Sequence, residues 1–181
     1  MTHKVMYCHG RGSNGTGTKS LFLQSLDGIE VVANDYPTND PLLQFGEFPD
    51  GFGLRDMAEY WRYVQMLTGD IKIHQPDVIV ASSFGGAVLL RVMLEGGWTG
   101  PAVFLAQAGV KFTVSDRLPT DARAILIHGE FDEVVHISGS VQLADSSPNA
   151  TLVRVADGHR LHRDESKQAL KDAVLQLISE L

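Results

Sequence analysis

Three residue types that together can run nucleophilic catalysis stand just past the ends of short apolar runs. Ser83 sits in Ala81-Ser82-Ser83-Phe84-Gly85-Gly86, after Val78-Ile79-Val80 and before a helical pattern. This is a variant of the G-x-S-x-G turn, with Ala81 in place of the first glycine; small residues flank the serine because the backbone passes close to itself there. Asp132 lies beyond Ile125-Leu126-Ile127, in His128-Gly129-Glu130-Phe131-Asp132. His159 follows Val153-Arg154-Val155, in Ala156-Asp157-Gly158-His159-Arg160. A serine hydroxyl needs a base to become a nucleophile, and neutral histidine can take the proton and return it. A carboxylate beside the histidine orients it and stabilises the imidazolium.

Each assignment has competitors. A Ser-Gly turn between strand and helix is also a common structural device, and aspartate favours turns and helix caps. Glu130 and Glu133 flank Asp132 and read as solvent-facing loop charges. His162 reads as a solvated residue at a helix entrance, and His3, His74, His128 and His136 as structural or exposed. Cys8 ends the first strand rather than standing at the serine turn, so it reads as a buried thiol. Gly12 and Gly17 have P-loop spacing, but Thr18 stands where the motif needs a glycine before Lys19, so nucleotide binding is not expected. No H-E-x-x-H pattern or cysteine pair points to a metal, and no cofactor is expected.

Those residues need a scaffold of short buried strands. The predicted strands are Lys4–Cys8, Ile29–Ala33, Val78–Ala81, Ala102–Ala106, Ala124–Ile127 and Leu152–Val155. Continuous apolar runs suit a parallel sheet covered on both faces. Helical spacing is predicted for residues 20–26, for Leu54 through Val64, for Ala87 through Leu94 and for Ala169 through Ile178. Alternation of the two predicts one three-layer α/β domain over residues 1–181. Two segments, Asp35–Gly53 and Gln107–Asp121, lack a clear period and are expected over the carboxyl ends of the strands, where ligands bind.

The chain has 181 residues, 44% of them hydrophobic, and a formal net charge of −7. That balance argues against a broad footprint for nucleic acid or anionic membrane. A single cysteine excludes an intramolecular disulfide. The apolar run before Cys8 is too short for a secretory signal core, and no run approaches the roughly 20 apolar residues of a membrane span. The expectation is a cytoplasmic protein with a small-molecule substrate.

On Tyr7-Cys8-His9-Gly10, Ser82-Ser83-Phe84-Gly85-Gly86, His128-Gly129-Glu130-Phe131-Asp132 and Gly158-His159-Arg160, the chain resembles the small, lidless, esterase-like bacterial members of the α/β-hydrolase superfamily. The chain order Ser83, Asp132, His159 is the order of that superfamily. The resemblance implies a sheet of six parallel strands in the order 2-1-3-4-5-6, helices on both faces and a minimal cap. It implies a Ser83–His159–Asp132 triad and an oxyanion hole from the backbone N–H groups of Arg11 and Phe84. The reaction implied is cleavage of a small carboxylic ester through an acyl-enzyme; a thioesterase or amidase would use the same apparatus, and a binding protein retaining the fold is the non-catalytic alternative. Tyr36, Phe45, Phe48 and Phe52 are the expected apolar wall for the substrate, unless they anchor their own loop to the core.

Overall fold

The computed structural model describes residues 2–36, 38, 54–112 and 114–181; the expected Phe45, Phe48 and Phe52 lie outside these. The described elements run β1 (His3–Cys8), α1 (Thr18–Gln24), β2 (Ile29–Val32), α2 (Leu54–His74), β3 (Val78–Ser82), α3 (Phe84–Leu94), β4 (Ala102–Leu105), β5 (Ala124–Gly129), α4 (Ser138–Asp145), β6 (Ala150–Val155) and α5 (Asp164–Ser179). The strands form one sheet in the order β2-β1-β3-β4-β5-β6, and every pairing is parallel. All the expected strands form.

Period-two alternation divides the strand side chains between two cores. Met6, Cys8, Ile79, Ala81, Phe104 and Leu126 face the layer that contains α2, α3 and α4. Val5, Tyr7, Val80, Leu105, Ile127 and Val155 face the layer with α1 and α5. Because both faces are covered, β3, β4 and β5 are buried along their whole length. That is the physical reason these strands read as unbroken apolar runs.

The direction in which successive strands are added across the sheet reverses between β1 and β3. β1 leads through α1 to β2 on one side, whereas β3 leads through α3 to β4 on the other. Loops leaving the carboxyl ends of such neighbouring strands diverge and leave a crevice between them. The loop after β1 and the turn after β3 therefore meet at one point, and Gly10 and Ser83 occupy it. A Cβ on Gly10 would stand 3.1 Å from the Ser83 Cβ and 3.2 Å from the Ser82 carbonyl oxygen. Gly85 is tighter still: its Cβ would be 2.5 Å from the Cys8 carbonyl oxygen and 2.6 Å from that of His9.

Among the described residues, no helix is long and apolar enough to cross a membrane.

Candidate active site

Ser83 is held in a backbone conformation that few side-chain-bearing residues adopt, φ 52° and ψ −114°. Such a conformation costs about 1–3 kcal/mol and persists only where its surroundings enforce it. Here the Ser83 N–H donates to the Leu105 carbonyl at 2.8 Å, and the Ser83 carbonyl accepts from Gly86 and Ala108 at 3.0 and 3.1 Å. The elbow is thus tied to α3 on one side and to the end of β4 on the other. Its side chain is directed out of the sheet toward His159.

The loops after β5 and β6 approach each other just as closely. A Cβ on Gly129 would overlap the Asp157 carbonyl oxygen. Phe131 N–H donates to that carbonyl at 3.0 Å, and Glu130 N–H donates to the Val155 carbonyl at 2.9 Å. This docking brings Asp132 and His159 together from opposite loops. His159 Nδ1 lies 2.8 Å from Asp132 Oδ2, and His159 Nε2 lies 3.0 Å from Ser83 Oγ. A carboxylate can only accept, so Nδ1 carries the proton and donates to Asp132. Nε2 is then the lone pair that accepts the Ser83 O–H.

The Asp132 side chain is fully buried. Burial acts to raise its carboxyl, but the Val135 N–H, the His159 imidazole and the Val134 N–H together outweigh it and hold the carboxyl below the usual range. Both amides donate to Oδ1 at 2.8 Å, which leaves Oδ2 for imidazole. Glu130 and Glu133 are exposed, as their neighbours in sequence implied.

Oδ2 receives a second imidazole. His128 is fully buried on β5, with Nε2 3.1 Å from Asp132 Oδ2 and 2.9 Å from the Val135 carbonyl. Both partners accept, so Nε2 carries the proton and Nδ1 accepts from the Ser140 hydroxyl at 2.7 Å. Gln107 Nε2 donates to that hydroxyl at 3.3 Å. Burial lowers the His128 pKa, in keeping with a neutral ring. Of the two placements the sequence left open for His128, structural or exposed, the structure has the first, buried against the carboxylate. Its spacing of four before Asp132 was the available signal, but Ser140 belongs to α4, an element without a strong sequence pattern.

Asp157 also escaped the sequence reading. Only 1% exposed, it accepts from the Gly158 N–H at 2.7 Å, the Arg163 N–H at 2.8 Å and the Ser166 hydroxyl at 2.7 Å. Burial acts to raise this carboxyl too, yet the Arg163, Ser166 and Gly158 donors bring it down to about 2. These bonds close residues 157–166 into a fixed loop with His159 at its crest. His162 is on the same loop but points outward, 68% exposed, with Nδ1 3.6 Å from Asp157.

The loop after β1 is braced from behind. His9 Nδ1–H donates to the Gly10 carbonyl at 2.9 Å, and Nε2 accepts the Tyr36 N–H at 2.9 Å. Burial lowers the His9 pKa and keeps it neutral. Tyr63 donates its hydroxyl to the His9 carbonyl at 3.1 Å. Tyr36 is 4% exposed, stacks on Tyr63 with centroids 4.1 Å apart and donates its hydroxyl to Asp70 at 2.8 Å. The structure therefore places Tyr36 in the packing behind the loop, on the α2 side of the sheet. Phe84 follows Ser83 as the first residue of α3, where no earlier helical carbonyl is available to its N–H. Arg11 is in the turn closed by Ser13 N–H on the Gly10 carbonyl at 3.2 Å.

A cavity of about 550 Å³ opens beside Ser83 on the α1 and α5 side, bounded by Gly10, Arg11, Lys19, His159 and Arg160 among others. Cys8 is buried, and burial pushes its thiol well up, so it is neither accessible nor ionised. No group of three or more metal-ligating side chains occurs among the described residues.

No protein-family model matches the chain, and no curated protein does. Solved structures do. Mouse α/β hydrolase domain-containing protein 10 is 18% identical, with 98% of this chain and 90% of that one covered at a TM-score of 0.71. The 2-hydroxy-6-oxo-6-phenylhexa-2,4-dienoate hydrolase of Rhodococcus sp. strain RHA1 is 16% identical, with 98% and 91% covered and a TM-score of 0.72. The monoacylglycerol lipase of Paleococcus ferrophilus is 14% identical, with 98% and 95% covered and a TM-score of 0.70. This is the α/β-hydrolase fold. The six-stranded parallel order and flanking helices agree with the arrangement implied by the sequence motifs. At these identities the likeness is one of fold, and function rests on the site.

Proposed function

We propose that the chain is a serine hydrolase that cleaves a small carboxylic ester through an acyl-enzyme. The observation that carries this reading is the unbroken line Ser83 Oγ, His159 Nε2, His159 Nδ1 and Asp132 Oδ2, with links of 3.0 and 2.8 Å. Ser83 Oγ attacks the ester carbonyl carbon as its proton passes to His159 Nε2. The carbonyl π electrons move to oxygen, and the N–H groups of Phe84 and Arg11 receive that oxyanion. Collapse re-forms the carbonyl and breaks the bond to the alcohol, which leaves with the proton from His159. Water then repeats the sequence: His159 takes its proton, hydroxide adds to the acyl carbon, and Ser83 departs reprotonated with release of the acid.

Asp132 stays ionised throughout. Its part is to fix the imidazole tautomer and to stabilise the imidazolium formed in both halves. Two donors on Oδ1 and the His128 N–H on Oδ2 keep the carboxylate from rotating.

The test is rapid mixing with a para-nitrophenyl ester of a short acid. A burst of nitrophenolate equal to the enzyme concentration, followed by slower turnover, is expected for an acyl-enzyme. Ser83→Ala should show neither phase. Turnover retained by folded Ser83→Ala would refute the proposal.

A further inference from the structure

We propose that the cavity beside Ser83 binds an anionic group, a carboxylate or phosphate, carried on the acyl or alcohol part of the substrate. This rests on the serine hydrolase reading and names the substrate class for it. The chain has 22 acidic and 15 basic residues and a net charge of −7. Yet Arg11, Lys19, Arg160 and Lys167 all line this one cavity beside the imidazoles of His159 and His162, and among the described residues no aspartate or glutamate does. In so acidic a protein, four Lys and Arg side chains on one cavity are a local reversal of the overall field. Cationic clefts with low-dielectric walls focus potential and concentrate anions.

The construction is three-sided. Arg11 comes from the loop after β1, Lys19 from α1, and Arg160 and Lys167 from the β6–α5 connection and α5. Lys19 Nζ donates to the Arg160 carbonyl at 2.7 Å, which fixes the ammonium and joins two walls. Burial lowers the Lys19 pKa, and an anion in the cavity would offset that desolvation. Among the described residues, two carboxylates beside these side chains are already engaged. Asp157 lies beneath the wall, holding the Gly158, Arg163 and Ser166 donors. Asp164 pairs with Lys167 at 3.3 Å from an exposed position. The cavity floor is apolar, formed by Tyr7, Phe22, Leu105, Leu161 and Leu170. A short hydrocarbon spacer would lie on that floor between the scissile ester at Ser83 and the charged end at the basic wall.

Two matched pairs test the proposal: para-nitrophenyl hydrogen glutarate against para-nitrophenyl pentanoate, and carboxymethyl butyrate against ethyl butyrate. The anionic member of at least one pair is expected to have a kcat/KM roughly tenfold or more higher at low salt. That ratio should fall in about 1 M salt and in Lys19→Met with Arg160→Met. Competition by glutarate and by inorganic phosphate distinguishes a carboxylate-bearing from a phosphate-bearing substrate. Calorimetric titration of Ser83→Ala with each anion gives a readout independent of turnover. Binding that is lost in Lys19→Met with Arg160→Met is expected. Neutral members preferred in both pairs, or binding of neither anion at millimolar concentration, would overturn the inference while the serine hydrolase reading stands. Anion binding without any ester turnover or burst would refute that reading and leave the anion site intact.

Discussion

Asp157→Asn should remove most of the acid-sensitive stability that the His159 loop contributes. The wild-type carboxyl lies at about 2 in the folded chain, against about 3.9 for an unperturbed aspartate. At about 1.4 kcal/mol per pKa unit, the difference corresponds to about 2.5 kcal/mol of stability at neutral pH. Because the folded value is depressed, this contribution is complete above the unfolded value and is lost as pH falls. About half is gone by about pH 3, and most by about pH 2. The 1% exposure of Asp157 means that little solvent screening reduces the figure. Asparagine is nearly isosteric but neutral: its oxygen can replace one carboxylate oxygen, and its NH2 group must then face the Gly158 N–H or the Arg163 N–H, donor against donor. Urea unfolding of wild type and Asp157→Asn, compared at equal m values from neutral pH to about pH 3, measures the effect. The gap is expected to be about 2 kcal/mol or more at neutral pH and to narrow by about 1 kcal/mol at the acid end. A gap that stays constant across that range would refute a charged Asp157 as the brace. Turnover should fall along with stability, since the same bonds set the position of His159.

Other perturbations separate the parts of the site. Asp132→Asn should preserve the fold but lower kcat by several orders of magnitude, because an amide can leave the imidazole in the wrong tautomer; steady-state ester hydrolysis measures this. His128→Ala strips the second donor from Asp132 and leaves the Ser140 hydroxyl and Val135 carbonyl buried without it, so unfolding free energy should drop by about 2–4 kcal/mol. In the same variant kcat should fall more than KM rises, since the loss is one of orientation. Gly85→Ala should unfold or destabilise the protein by about 2 kcal/mol or more on thermal melting, as its Cβ would lie 2.5 and 2.6 Å from two carbonyl oxygens. Cys8 should resist thiol reagents in the folded protein and react only on denaturation, as judged by intact mass.

The strands could be read from the sequence because β3, β4 and β5 are buried on both sides, so their apolar runs carry no competing pattern. Ser83 and Asp132 were legible for a related reason, since each follows such a run at the carboxyl end of the sheet, whereas His159 follows the partly exposed edge strand β6 and was marked by its glycine-containing loop. The helix α4 was not legible. It has eight residues, with three serines or glycines at its start and only Val141, Leu143 and Ala144 as apolar contributors. Without it, Ser140 had no place in three dimensions, and only the spacing of four before Asp132 hinted at where His128 lies. Asp157 carried no sequence signal because Arg163 and Ser166 reach it only when the loop folds back. The basic cavity was hidden most completely. Its residues come from separate segments that converge only when α1 and the β6–α5 connection pack side by side, and the net charge of −7 has the opposite sign. The aromatic character of Tyr36 suits a substrate wall as well as a core, and its packing against His9 and Tyr63 sets it behind the loop after β1.

Labelling with a fluorophosphonate, followed by peptide mapping, tests the role of Ser83 most directly. The reagent should add once per chain, on Ser83 Oγ, with displacement of fluoride. Addition should be abolished in Ser83→Ala, strongly slowed in His159→Ala and unaffected in kind by Ser82→Ala. A folded wild-type protein that takes no label, or a label mapped to a residue other than Ser83, would contradict a Ser83–His159–Asp132 hydrolase.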